Sequence, residues 1–258
     1  MDNSMISIRG LVKSFGGTQV LKGIDLEVKP GQVIGYIGPN GAGKSTTVKI
    51  LCGIITEFEG DIKVFGYDLK TQGIEIKKRI GYVPENGALY DLLTPREYLN
   101  FVGTLYGIAK DKLDSRIDQL LSIFGLDKNA DQRMDTFSKG MKQKILIMAG
   151  IINNPDIIFL DEPLSGLDAN SVILVKEMLA RLASEGKTIF FCSHLMDVVE
   201  KISDRIILIN DGKVLADGTF DELKTEKSAT LEKLFANLTG NEKSEFNSDV
   251  FSKAFEEK

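Results

Sequence analysis

GPNGAGKST, residues Gly38 to Thr46, is the stretch on which the reading of this chain turns. It fits G-x-x-x-x-G-K-[ST], follows the apolar run QVIGYIG (32–38), and precedes helix-like spacing at Val48, Ile50 and Leu51. Strand, glycine-rich turn and helix in that order are the context a phosphate-cradling loop requires. Glycine lets backbone N–H groups wrap phosphate oxygens, and a helix N-terminus adds partial positive charge. The candidate nucleotide-binding residues are therefore Gly38, Pro39, Asn40, Gly41, Ala42, Gly43, Lys44, Ser45 and Thr46. Lys44 supplies a point charge for the β- and γ-phosphates of a nucleotide, and the Ser45 hydroxyl can hold Mg²⁺.

Working outward, β-branched runs recur at RIGYV (79–83), DIIFL (156–160), KTIFF (187–191) and RIILI (205–209). Several are apolar on both faces, as buried parallel strands are. Helical patterns alternate with them. Leu113, Ile117, Leu120, Leu121 and Phe124 share a face that stops at Gly125, and Val172, Val175, Leu179 and Leu182 share another that ends before Gly186. The alternation predicts an α/β fold: a P-loop NTPase core with a mainly parallel sheet. Residues 1–31 and 60–69 read as short strands with turns, an N-terminal antiparallel β layer. Residues 86–154 read as an inserted helical subdomain. The ATPase domain is expected over 1–225, followed over 226–258 by a C-terminal helix and a mobile charged tail.

IIFLDEP (157–163) supplies acids for the phosphate site. Asp161, at the end of a buried strand, reaches the Mg²⁺ shell as the matching residue does in P-loop NTPases. Glu162 is placed to take a proton from attacking water, its side chain expected to point away from Asp161 by strand alternation. His194, the single histidine, ends another apolar strand 32 residues later, on the edge where α/β ligands bind; a bond to the γ-phosphate is expected. FSKGM (137–141) opens a helical run marked by Ile145, Leu146, Met148, Ala149 and Ile152. Ser138 and Gly140 there offer either a second anion site or a plain N-cap.

Composition narrows the class. A net charge of −5 and a pI near 5.2 argue against general nucleic-acid binding. Cys52 and Cys192 lie in apolar stretches and read as reduced, buried thiols. MDNSMISIRG has no signal-peptide pattern, and no apolar run reaches the ~20 residues of a membrane-spanning helix; if the protein acts at a membrane, another chain must do the spanning.

The ordered set GPNGAGKST, FSKGM, IIFLDEP, LSGLD (164–168) and the histidine of FCSH resembles the ATP-binding-cassette ATPases over roughly residues 5–225. The resemblance implies a head-to-tail dimer, homomeric or heteromeric, that traps two ATP. FSKGM aligns with the family's signature, so Ser138, Lys139 and Gly140 would face the γ-phosphate held by a second ABC ATPase subunit. Phe15 falls where the family stacks an aromatic on adenine; the alternative is a core residue. Asp168 would sit at the dimer interface and link the two sites. The partners implied are polytopic membrane subunits of a transporter, at the cytoplasmic face of the membrane.

The chain departs from the family pattern at Glu85, in GYVPENGALY, where a Gln is usual. Glu85 can approach Mg²⁺ as a charged ligand or bind a basic partner residue. With the SKGM signature it looks like the ABC-2-type subclass linked to export. Leu89, Tyr90, Leu92, Leu93, Tyr98, Phe101 and Tyr106 divide, on this reading, between subdomain core and a groove for a membrane subunit. The function expected is an ATP-hydrolysing subunit of a membrane transporter. The alternative is a soluble cassette ATPase that remodels a cytosolic partner.

Overall fold

The computed structural model describes residues 4–224 and 230–239. The elements run β1 (Ile6–Phe15), β2 (Thr18–Val28), β3 (Val33–Ile37), α1 (Lys44–Leu51), β4 (Glu59–Val64), β5 (Tyr67–Asp68), α2 (Gly73–Lys77), β6 (Ile80–Val83), α3 (Pro95–Leu105) and α4 (Lys110–Ile123). There follow α5 (Lys139–Ile151), β7 (Ile157–Asp161), α6 (Ala169–Ser184), β8 (Thr188–Cys192), α7 (Met196–Ile202), β9 (Arg205–Asn210), β10 (Lys213–Gly218), α8 (Phe220–Leu223) and α9 (Leu231–Thr239). The expected tail over 240–258 lies outside the described residues.

The central sheet has the order β10-β9-β3-β8-β7-β6, parallel except for the β9–β10 pair. Alternate side chains enter two different cores. Ile34, Tyr36, Phe159 and Phe190 face the antiparallel sheet β2-β1-β4-β5; Val33, Ile37, Ile158, Leu160 and Phe191 face the helices. Two buried faces explain why these strands are apolar throughout and why period-two alternation is missing from them.

The parallel order puts the C-terminal ends of β3, β8, β7 and β6 side by side. The chain leaves them as the glycine-rich loop, Ser193–His194, Glu162 and Glu85 respectively. This is the edge at which open α/β sheets bind ligands.

The helical insertion is α3, α4 and α5. A reciprocal Thr94–Glu97 capping box and Pro95 start α3. The insertion's core includes Leu99, Leu113, Ile117, Leu121, Phe124 and Met134. Of the apolar residues expected to divide, Leu89, Leu93 and Tyr98 pack on this core, while Tyr90, Leu92, Phe101 and Tyr106 are exposed. Cys52 and Cys192 are buried and unpaired. The helix α9 buries Leu231 and Leu234 against the α7 side of the core.

Two expectations need correction. The N-terminal strands are long, ten and eleven residues, because a two-residue Gly16–Gly17 turn with both φ positive folds them into one continuous hairpin. The chain also holds β10, which the sequence reading did not find. Its signal was Asp211–Gly212, a turn with both φ positive, 46° and 72°, joining β9 to β10.

Candidate functional site

A cleft of about 630 Å³ lies over the strand ends. It is lined by Val20, Asn40, Gly41, Gly43, Lys44, Ser45, Thr46, Glu85, Asp161, Glu162 and His194. Six of the nine predicted loop residues thus meet Glu85, Asp161, Glu162 and His194 in one place. The loop earns its shape from glycine: Gly43 stands at φ 108°, and a Cβ there would lie 2.5 Å from Leu21 Cδ2. Gly43 leaves α1 without a side-chain cap, so the first amides of the helix stay free for an anion. Lys44 is 8% exposed, and its Nζ donates to the carbonyls of Gly38 (2.7 Å) and Pro39 (3.1 Å). Tyr36 at the floor of the loop bonds Thr47 (3.3 Å), whose hydroxyl donates to Gly43 O at 3.0 Å.

Asp161 is buried, and its Oδ1 has no hydrogen-bond partner. Burial pushes its carboxyl above the ordinary value; Glu85 and Glu162 push it the same way, and a bond from Ser45 opposes. An orphaned buried carboxylate oxygen beside a hydroxyl, facing a phosphate loop, fits Mg²⁺, which takes one or two protein oxygens plus substrate phosphates. Among the described residues no group of three His, Cys, Asp or Glu forms a self-sufficient metal cage.

Glu162 corrects the alternation argument. The strand ends at Asp161, and Glu162 turns the chain at φ 50°, a region that non-glycine residues rarely occupy. Both acids consequently line the same cleft. Glu162 N donates to Cys192 O at 2.9 Å. Its Oε2 lies 2.8 Å from His194 Nδ1 and accepts a longer bond from Ser193 Oγ at 3.4 Å. The side chain of Glu162 is 12% exposed and that of His194 is 65% exposed. His194 therefore holds the acid here while keeping a face open to the cleft.

The remaining predicted residues lie elsewhere. Ser138 caps α5, its Oγ accepting from Met141 N at 3.3 Å. Lys139 Nζ donates to Ser165 Oγ at 3.1 Å, and a Cβ on Gly140 would sit 2.7 Å from Gly166 O. None of these three lines the cleft; Lys139 and Glu85 share a smaller groove beside it. Asp168 caps α6, its carboxylate accepting from the backbone and hydroxyl of Ser171, which hold it below the usual carboxylate range. Phe15 is 47% exposed at the tip of the β1–β2 hairpin, under Lys13 Nζ, and is not core. The sequence reading missed Val20 in the cleft wall and Ser193 beside the acid. Nothing local in the sequence marked Val20, whose β2 position faces the loop only once the sheets pack.

A family profile described as "ABC transporter" matches residues 21–165. This chain belongs to the ABC transporter family. The linearmycin resistance ATP-binding protein LnrL of Bacillus subtilis is 36% identical over 85% of this chain and 70% of its own length. The ABC transporter ATP-binding protein NatA of Bacillus subtilis is 37% identical over 84% and 89%. The daunorubicin/doxorubicin resistance ATP-binding protein DrrA of Streptomyces peucetius is 35% identical over 89% and 69%. Among solved structures, an ATP-binding subunit of an ABC transporter matches with a TM-score of 0.85 at 29% identity, covering 91% of this chain and 99% of its own. A dimeric cassette in a post-hydrolysis state, bound to ADP and Pi, matches with a TM-score of 0.77 at 25% identity, over 83% and 98%.

The chain is thus an ATP-binding, ATP-hydrolysing cassette, of a kind that dimerises and serves membrane subunits. No helix among the described residues is long and apolar enough to cross a membrane.

Proposed function

We propose that this ABC ATPase powers an exporter from the cytoplasmic face of the membrane, using Mg²⁺-ATP at two sites shared by a head-to-tail dimer. The observation that carries the chemistry is the Glu162–His194 pair set beside buried Asp161 and Lys44 in one cleft. Lys44 and the free amides of α1 hold the β- and γ-phosphates. Ser45 and Asp161 would hold Mg²⁺, with Glu85 close by as a further carboxylate; the metal supplies charge stabilisation on the phosphate oxygens. Glu162 takes a proton from the attacking water, and His194 keeps its carboxylate directed and reaches the γ-phosphate. The Ser138–Gly140 segment of one chain closes over the ATP held by Lys44 of the other, and Asp168 lies at the seam.

An export role is supported by the drug-resistance names of two relatives and by Glu85 with the SKGM segment. The exposed Tyr90, Leu92, Phe101, Leu105 and Tyr106 offer an apolar surface to a membrane subunit.

The test is Glu162→Gln. Hydrolysis is expected to fall about 10²–10⁴-fold, the range of a lost general base, while ATP binding and ATP-driven dimerisation persist. Near-normal turnover would remove Glu162 from the role.

A further inference from the structure

One buried polar side chain has no part in the site described above. Gln143 lies on α5, just before the buried run Ile145, Leu146, Ile147 and Met148, and is itself only 3% exposed. A buried amide is costly unless bonded. Its Nε2 donates to Pro163 O at 3.1 Å, across twenty residues of sequence. Pro163 is the residue after Glu162.

That position matters because of the backbone at Glu162. A non-glycine residue at φ 50° persists only where its surroundings hold it there. Three hydrogen bonds to the main chain at 162–163 do so. Glu162 N donates to Cys192 O at 2.9 Å, and Glu162 O accepts from Ser165 N at 3.1 Å. The third is the Gln143 bond to Pro163 O, and it alone comes from a side chain of another element. The rest of the 163–166 turn is seated on the first turn of α5 as well: Lys139 Nζ bonds Ser165 Oγ, and Gly140 leaves no room for a side chain against Gly166 O.

We infer that Gln143 is a positioning residue for Glu162: it fixes the peptide that follows the acid and so ties the acid's direction to the placement of α5. The inference rests on the reading of Glu162 as the base. Because Ser138 caps α5, the helix that would meet the partner's nucleotide also steadies the acid that acts on this chain's own nucleotide.

The experiment is a double-mutant cycle on the full chain, with single-turnover hydrolysis of bound ATP as the rate and ATP affinity, ATP-driven dimerisation and thermal unfolding as parallel readouts. Gln143→Met keeps length and removes the donor. The expected result is a hydrolysis rate lowered about tenfold, the scale of one lost hydrogen bond to a group that must stay aligned, with ATP affinity within about twofold. In a Glu162→Gln background the same substitution is expected to change nothing further, since effects through one group do not add. An equal fold-loss in both backgrounds, or an unchanged rate in the parent chain, overturns the inference. If Gln143→Met loses ATP binding or its unfolding transition, Gln143→Asn, which keeps the amide but falls short of Pro163, decides by the same criteria. If both lose the fold, Gln143 is a packing residue and the inference is wrong. Near-normal turnover of Glu162→Gln alone is a different failure, that of the base assignment.

Discussion

Two helices of this molecule begin with a Lys and a small residue, and they have been put to different uses. At α1 the N-cap is Gly43, at φ 108° with no capping side chain, and Lys44 is buried behind it. At α5 the N-cap is Ser138, whose hydroxyl already takes one amide, and Lys139 is exposed and tied to Ser165. Both ends carry the same helix dipole. What separates them is what stands opposite. Asp161, Glu162, Glu85 and His194 face α1 across a cleft. The start of α5 lies outside that cleft. A helix N-terminus is only half of an anion site; this chain sets acids opposite one such end, and on the function proposed above the other is met by a partner.

The contrast can be broken most directly at the two lysines' ends of it. Lys44→Ala removes the buried cation, and ATP affinity is expected to fall about 100-fold, the worth of charge-assisted bonds to phosphate, by titration calorimetry. Ser138→Asp keeps a good capping oxygen but adds negative charge where a partner's phosphate would lie. ATP affinity of the single chain should be unchanged, while ATP-driven dimerisation and turnover drop about tenfold or more. Wild-type dimerisation in that variant would reduce α5 to an ordinary capped helix.

A smaller effect distinguishes the two sites by pH. Burial holds the Asp161 carboxyl above the ordinary 3.8, so the fold itself favours the protonated form. Stability from this group is present at low pH and is lost as pH rises through the raised value. Metal binding needs the ionised form, so the sign is opposite. On acidification, Mg²⁺-dependent ATP affinity should weaken at a pH above 3.8 while the fold gains from the same proton. Asp168 runs the other way: its depressed carboxyl contributes stability above the ordinary value, lost as pH falls through the folded one. Asp161→Asn should abolish the Mg²⁺ dependence of ATP binding with no loss of melting temperature at neutral pH. A clear drop in melting temperature would show Asp161 to be structural.

What the sequence disclosed follows the range of the forces involved. The glycine-rich loop, the doubly buried strands and the acid at the end of IIFLD are local patterns, and each stands where it was expected. The tie between His194 and Glu162 was less legible, because it depends on β7 and β8 being neighbours. The left-handed φ of Glu162 had no local mark, since a Glu followed by Pro reads as extended chain. Gln143 was hidden between Lys142 and Lys144, where it reads as one more exposed polar residue: its partner is a backbone carbonyl twenty residues on, and a carbonyl leaves no trace in a sequence. Composition and spacing identify chemistry-bearing side chains. They do not identify the side chains that hold a backbone in place.

The smallest predicted effect sharpens the comparison furthest. Ser138→Ala removes the cap of α5, which costs about 1 kcal/mol and lowers the melting temperature by about 2–4 °C in a chain of this size. Ser138→Asp should recover that stability, because a carboxylate caps as well as a hydroxyl. The two variants then separate roles that coincide in the parent side chain: alanine loses the cap, aspartate restores it, and both remove the hydroxyl offered to a partner's phosphate. At 3.3 Å the bond to Met141 N is longer than an ordinary N–H···O bond. If Ser138→Ala leaves the melting temperature unmoved, that bond does not hold the helix, and the hydroxyl at the start of α5 is kept for what binds from outside.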